Sequence, residues 1–329
     1  MDTKRIKNFF RSKLFTLILV LVVLIVFFTA ATGGKYVKPL NIRSILNSIV
    51  VVSFLAIGEG FLMISGCVDL SAGAVGTAAG LVMAIGVTWW GVPWFIAILL
   101  ALLFGAACGY LNSLFVHKLN FQPFIATLAM ADMAKGLGYI FCNGEFIEVD
   151  DEVISFIGTE KIFGKIIPFA LIISLLFLVV YGVILSRTTF GRQIYLVGGN
   201  KQAAKLAGLN PTRISTVLFV NSGVLAAIAG CLGVARIKSA TTTGIISHQF
   251  SGITAAILGG IAFGGGSGGM VGCFVGLLIL NCFNNGTNTM GFNSYVQQVF
   301  SGALLLLALG FDIISQKNQA RSLMKKTYK

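Results

Sequence analysis

Long apolar runs, separated by short polar breaks, follow one another along nearly the whole chain. Ten of them, at about residues 14–32, 44–65, 73–90, 94–116, 123–142, 166–186, 214–235, 250–263, 270–285 and 293–313, have the length or apolarity of a helix in lipid. A span takes roughly 20 apolar residues. Backbone groups in hydrocarbon must be paired internally, so these runs are expected to be helices. The runs 250–263 and 270–285 are short, and glycine-rich 264–269 lies between them. The first run imitates a signal peptide: basic residues precede it and Ala30-Ala31 sits near its end. Leu14 to Thr32 is nevertheless long enough to span, and many spans follow, so a retained first helix is expected.

Composition narrows the class. Of 329 residues, 56% are hydrophobic and 11% charged, against about 25% charged in an average domain. That excludes a water-soluble globular chain, and the hydrophobicity excludes disorder. An all-α polytopic membrane protein with about ten transmembrane helices remains.

The net charge of +13 would suggest nucleic acid in a soluble protein. Here the placement of the charges decides. Lys4, Arg5, Lys7, Arg11 and Lys13 precede the first run. Arg187, Arg192, Lys201, Lys205 and Arg213 fill one loop, and Lys317, Arg321, Lys325, Lys326 and Lys329 form the tail. Glu145, Glu148, Asp150, Asp151 and Glu152 cluster in another loop. The positive-inside bias puts both termini and the 187–213 loop in the cytoplasm and the acidic 143–165 loop outside. An even number of spans agrees with that. The expected organisation is a basic cytoplasmic N-terminus (1–13), one transmembrane domain (14–313) and a basic cytoplasmic tail (314–329). The basic excess maps a membrane face, so no nucleic-acid partner is expected; the lipid bilayer is the surrounding partner.

No catalytic chemistry stands out. Cys67, Cys108, Cys142, Cys231, Cys273 and Cys282 sit in or beside apolar runs without a CxxC pair and read as small buried hydrophobes. His117 and His248 lack metal-motif neighbours. Gly264, Gly266 and Gly269 satisfy GxGxxG but lie between membrane segments, where a packed turn is the plainer reading. There is no GxxxxGK[ST], so any ATP hydrolysis belongs to another chain. Glycines four apart (Gly76/Gly80, Gly105/Gly109, Gly268/Gly272, Gly272/Gly276) are spaced for close helix approach.

Polar residues inside spans are the candidate functional positions. Glu59 interrupts the second run, at a cost of about 2.5–3.5 kcal/mol if ionised at the bilayer centre. Asp69 and Ser71 follow it. Asp132 and Lys135 are three apart on one face of the fifth run, spaced either for a structural ion pair or for a path. Asn112, Asn221, Asn281, Asn284, Asn285, Gln297 and Gln298 supply amides, suited to a hydroxyl-rich solute or to helix–helix glue. In the 187–213 loop, Asn200 is a candidate N-cap and Gly208 a C′ residue, which predicts a short helix over 201–207.

Four stretches resemble a known family. They are Ile64-Ser-Gly-Cys-Val-Asp-Leu-Ser-Ala-Gly73, similar to the family's GGIDLSVG; Pro123-Phe-Ile-Ala-Thr-Leu128; Gly198-Gly-Asn-Lys-Gln-Ala-Ala-Lys-Leu-Ala-Gly208; and Ala255-Ala-Ile-Leu-Gly-Gly260 through Asn284-Asn-Gly286 to Tyr295–Asp312. In order and spacing they resemble the membrane permease subunits of bacterial ABC importers for simple sugars, the ribose/xylose/galactose type. The resemblance implies a type II-like permease fold in the bacterial plasma (inner) membrane. It implies a second permease copy, as homodimer or close heterodimer, an ABC ATPase subunit that holds ATP-Mg, and an extracytoplasmic sugar-binding protein. This chain itself would bind no cofactor or metal and would not be an enzyme. Gly199, Asn200, Ala203, Ala204, Leu206 and Gly208 would dock into the ATPase. Glu59, Asp69, Ser71, Thr127, Asp132, Lys135, Asn281, Asn284, Asn285, Gln297 and Gln298 are the candidate path residues. Cys67, Glu59, Gln249 and Ser301 depart from the family's usual residues, and Glu59 is the foremost candidate for specificity or gating. The alternative is an ion-coupled secondary transporter using Asp132, Lys135 and Glu59. A membrane-embedded enzyme or a scaffold is weaker.

Overall fold

The structure, a computed structural model, describes residues 13–162 and 166–327, with side chains described to residue 314 except at 13, 311 and 312. The basic clusters at 1–13 and in the tail therefore lie outside the described side chains.

Each predicted run contains a helix: α1 (Lys13–Ala31), α2 (Pro39–Ile64), α3 (Ala72–Thr88), α4 (Trp94–His117), α5 (Pro123–Cys142), α7 (Phe169–Arg187), α10 (Pro211–Ile237), α11 (Gln249–Leu258), α12 (Met270–Thr289) and α13 (Ser294–Thr327). Between them stand the short α6 (Glu152–Thr159), α8 (Thr189–Gly199) and α9 (Lys201–Leu206). Pro39, Pro123 and Pro211 open their helices, where a missing N–H costs nothing and φ is already helical. Among the described residues seven helices (α1, α2, α4, α5, α7, α10 and α12) are long and apolar enough to cross a membrane.

The 250–263 run differs from its expectation. Its helix stops at Leu258 after 10 residues, about 15 Å, half the hydrocarbon thickness. Gly260 takes φ +84° and the chain unwinds to Gly269 before α12 starts. The α2–α3 connection also unwinds, over 65–71. Gly66 (φ +83°) closes α2 there, its N–H reaching Met63 O at 2.9 Å while Cys67 N–H reaches Leu62 O at 3.0 Å. That left-handed turn is the Schellman closure that glycine permits.

Helix α10 is the hub, buried along most of its length. Gly76 and Gly80 of α3 meet the backbone at Ala226 and Gly230 of α10, and Gly105 and Gly109 of α4 meet it at Gly223 and Phe219. Gly272 and Gly276 of α12 pack likewise on Gly259 and Ala255. The fourfold glycine spacing is thus used for backbone-to-backbone packing, where a β-carbon would collide.

The bundle has two distinguishable ends. At one, β1 (Ile147–Glu148), in the acidic loop, pairs antiparallel with β4 (Ser239–Ala240) just after α10. Thr88 Oγ1, at the end of α3, donates to Glu148 O at 3.1 Å. A second two-stranded pair, β2 (Lys161–Ile162) with β3 (Ile167–Pro168), leads into α7. At the other end, α8 packs against the end of α2 and the glycine turn. Ile64 O accepts from Gly266 N at 2.8 Å, and Tyr195 Oη donates to Gly268 O at 2.7 Å. Burial pushes the Tyr195 phenol above its usual range, so it stays a donor.

Candidate functional site

The unwound 65–71 linker and the start of α11 meet in a buried polar cluster. Asp69 is 1% exposed, and Glu59, Ser71, Asn112 and Thr127 are fully buried. Asp69 lies in the 65–71 linker and its carboxylate collects four donors. Ser71 supplies its N–H at 2.9 Å and its hydroxyl to Oδ1. Asn112 Nδ2 of α4 reaches Oδ1 at 3.5 Å, and Ser222 Oγ of α10 reaches Oδ2 at 2.9 Å. The Asp69 N–H donates to Glu59 Oε2 at 3.3 Å. Leu70 N–H donates to Thr127 Oγ1 of α5 at 3.0 Å. Gln249, which opens α11, completes the ring: Nε2 donates to Asp69 O at 2.9 Å and to Glu59 Oε1 at 3.5 Å, and Oε1 accepts from Gly73 N–H.

Six helices are therefore tied at one point. Among the described hydrogen bonds and ion pairs the two carboxyl groups meet no basic side chain; hydroxyls, amides and backbone N–H groups compensate them. Buried polar groups so connected rigidify and specify a packing arrangement. The sequence singled out Glu59, Asp69, Ser71 and Thr127 as path residues, and here they come together. Ser222 was missed, because a lone serine in a helix satisfies itself on its own turn and carries no signal. Gln249 was noted only as a departure from the family; its link to Glu59 needed the fold.

The other candidates are elsewhere. Asp132 and Lys135 pair at 3.2 Å on the outer face of α5, both exposed. Asn281 Nδ2 donates to its own helix at Leu277 O, 2.8 Å. Asn284 Oδ1 accepts from Ser301 Oγ at 3.2 Å, joining α12 to α13. Asn285 Oδ1 accepts from Thr289 Oγ1 at 3.4 Å. Gln297 Nε2 donates to Phe292 O at 2.8 Å, and Gln298 is exposed. Asn221 accepts from the Tyr181 hydroxyl of α7. Several of these amides thus bond locally or join neighbouring helices.

At the α8 end, Asn200 caps α9: its Oδ1 accepts from Gln202 N at 3.0 Å and Ala203 N at 2.9 Å. Gly208 (φ +80°) ends it, with Leu209 N–H returning to Ala204 O at 3.1 Å. Six residues are too few for a stable isolated helix, and tertiary contact holds this one. Ala204 is buried, whereas Leu206 is 91% exposed. The helix is capped at its start by Asn200 and closed at Gly208, and it leaves this apolar side chain exposed. Gly199 and Ala203 lie on the same segment, both exposed.

Residues 41–309 match the family described as "Branched-chain amino acid transport system / permease component". The chain belongs to this permease family. Among curated members, this permease is 33% identical over 296 residues to the ribose import permease of Bacillus subtilis (strain 168), covering 88% of this chain and 89% of the relative. It is 29% identical over 301 residues to the fructose import permease of Rhizobium meliloti (90% and 84% covered). It is 32% identical over 278 residues to the L-arabinose transport system permease of Escherichia coli (strain K12) (84% of each). No solved structure matches it significantly. The permease is a multi-pass membrane protein, and its family members are transport components rather than enzymes.

Proposed function

We propose that this permease forms the translocation path of an ATP-driven importer for a simple sugar or a similar small polar solute. On this reading ten segments cross the bacterial plasma membrane with both termini inside, α11 and α3 doing so together with unwound backbone. The α8 end faces the cytoplasm and the acidic loop faces out. An ABC ATPase docks on α9 through Gly199 to Gly208, with ATP-Mg held entirely by the ATPase. An extracytoplasmic binding protein delivers the solute.

The observation that carries this reading is α9 itself. It is fixed at both ends, presents Leu206 outward, and its predecessor α8 meets the backbone of the α2 end and of the 265–266 turn. Those two segments lead to Asp69 on one side and to α12 on the other. A push on α9 therefore reaches both unwound regions.

The exposed Asp132–Lys135 pair supports a second permease copy. A charged group facing lipid at the centre of a span costs about 2.5–3.5 kcal/mol, so that face of α5 belongs against protein or a water-filled path. In this arrangement the buried Glu59–Asp69 cluster is the joint that keeps the path-forming helices in register.

The test is ATP hydrolysis by the permease–ATPase complex in nanodiscs, with and without the cognate binding protein. Stimulation by solute-loaded binding protein is expected. Solute uptake driven by an ion gradient in the absence of any ATPase would instead establish a secondary transporter.

A further inference from the structure

A cavity of about 60 Å³ opens at the acidic-loop end, between α2, α3, the end of α10 and the segment leading to α11. Its polar lining comprises Arg236, Ser239, Thr241, His248 and Thr77. Donors dominate it. Arg236 is half-buried, and one guanidinium N–H is used, on Asn47 O at 3.1 Å. A guanidinium carries five N–H donors, and this one borders the cavity with its other N–H groups in no described hydrogen bond. Among the described residues Arg236 has no carboxylate within ion-pair distance. The Ser239 hydroxyl and the His248 ring make no described hydrogen bond, while Thr77 and Thr241 are already engaged with the backbone at Ile245 and Gly244. Burial and the neighbouring Arg236 charge hold His248 below the usual imidazole range, leaving a neutral ring with one N–H donor.

A half-buried guanidinium without an anion is costly. The acids among the described residues do not relieve it. Asp151 caps α6 through Ile154 N at 2.9 Å, and Glu148, although its strand pairs with Ser239, makes no ion pair with Arg236. Size limits the missing acceptor. One water-sized group needs about 10–15 Å³, so the cavity holds roughly four to six such groups. That accommodates a carboxylate and its methylenes and excludes a monosaccharide.

We propose that this cavity is a carboxylate-binding pocket that receives an aspartate or glutamate side chain of the extracytoplasmic binding protein. The assignment of the partner rests on the function proposed above; the anion chemistry does not. Arg236 supplies a two-pronged clamp, Ser239 and His248 supply flanking donors, and the site lies at the end where solute is delivered.

The experiment uses the full chain in nanodiscs. Affinity for the cognate binding protein is measured for wild type, Arg236→Gln, Arg236→Lys and Ser239→Ala, with the melting temperature of each as a fold control. In parallel, propionate, a side-chain mimic, and neutral propionamide are tested for stabilisation. At least a tenfold weaker complex is expected for Arg236→Gln, with a smaller loss for Arg236→Lys and for Ser239→Ala. Propionate, and not propionamide, should raise the melting temperature of wild type but not of Arg236→Gln. Undiminished binding-protein affinity in a folded Arg236→Gln variant overturns the proposal, and a retained propionate response in wild type would then mark a small-anion site. If wild type binds no binding protein, the importer reading fails instead, and the propionate arm alone decides the pocket's anion chemistry.

Discussion

Gly198 of α8 lies directly against the carbonyl oxygen of Ile64, so that a β-carbon at 198 would overlap it. The same oxygen already accepts from Gly266 N–H at 2.8 Å. Three distant segments therefore share one backbone junction between the 187–213 loop and the core. Gly198→Ala forces that junction apart, an overpacking cost of about 1–3 kcal/mol. Uptake should fall at least tenfold while the ATPase still binds α9. Uptake assays paired with ATPase pull-down check this; normal uptake in a folded Gly198→Ala variant would refute it.

Ala204 is the buried contact of α9, so Ala204→Arg cannot seat the helix. The variant should insert in the membrane yet lose ATPase capture and uptake. Gly208→Pro, which removes both the left-handed turn and the N–H bonded to Lys205 O, should behave alike. Membrane fractionation together with co-purification of the ATPase reads both outcomes.

Ser222→Ala leaves Asp69 Oδ2 without its donor from α10. A buried acceptor so orphaned costs about 1–3 kcal/mol, and the melting temperature of the purified permease should drop. An unchanged melting curve would mean that water or a shifted side chain replaces the bond.

Glu59 accepts from both Asp69 N–H and Gln249 Nε2. Glu59→Gln keeps one amide oxygen for these donors, whereas Glu59→Ala removes every acceptor and opens a void. The alanine variant should lose roughly 2–5 kcal/mol, the glutamine variant much less. If Glu59 also gates the path, Glu59→Gln alters uptake while its melting temperature holds. Measuring both quantities separates a gate from a purely structural joint.

Asp132→Asn and Lys135→Met remove an exposed pair worth about 0–1 kcal/mol, so stability should hardly move. On the proposed placement of α5, uptake should fall nonetheless. Wild-type transport by both variants would remove this face from the path.

Much of this architecture is legible in the apolar runs, because lipid demands long hydrophobic helices and leaves little ambiguity between strand and helix. The cap at Asn200 and the turn at Gly208 are equally readable, since each follows from one residue's local chemistry. The half-length of α11 was not legible. Ile261, Ala262 and Phe263 continue the apolar pattern past Leu258, and apolarity alone does not distinguish helix from buried extended backbone. Glu59 and Asp69 stood out as expensive, yet the hydrogen bond between Gln249 and Gly73 joins residues 176 positions apart, and no local pattern announces it. The two-residue pairing of 147–148 with 239–240 lies below any periodic signal.

The central claim, transport driven by ATP hydrolysis through α9, is tested most directly by solute uptake into proteoliposomes containing this permease. The ATPase used is either active or disabled at its catalytic residue. Uptake that requires the active ATPase, and that Ala204→Arg abolishes, is the predicted result; uptake that persists with the disabled ATPase would contradict it.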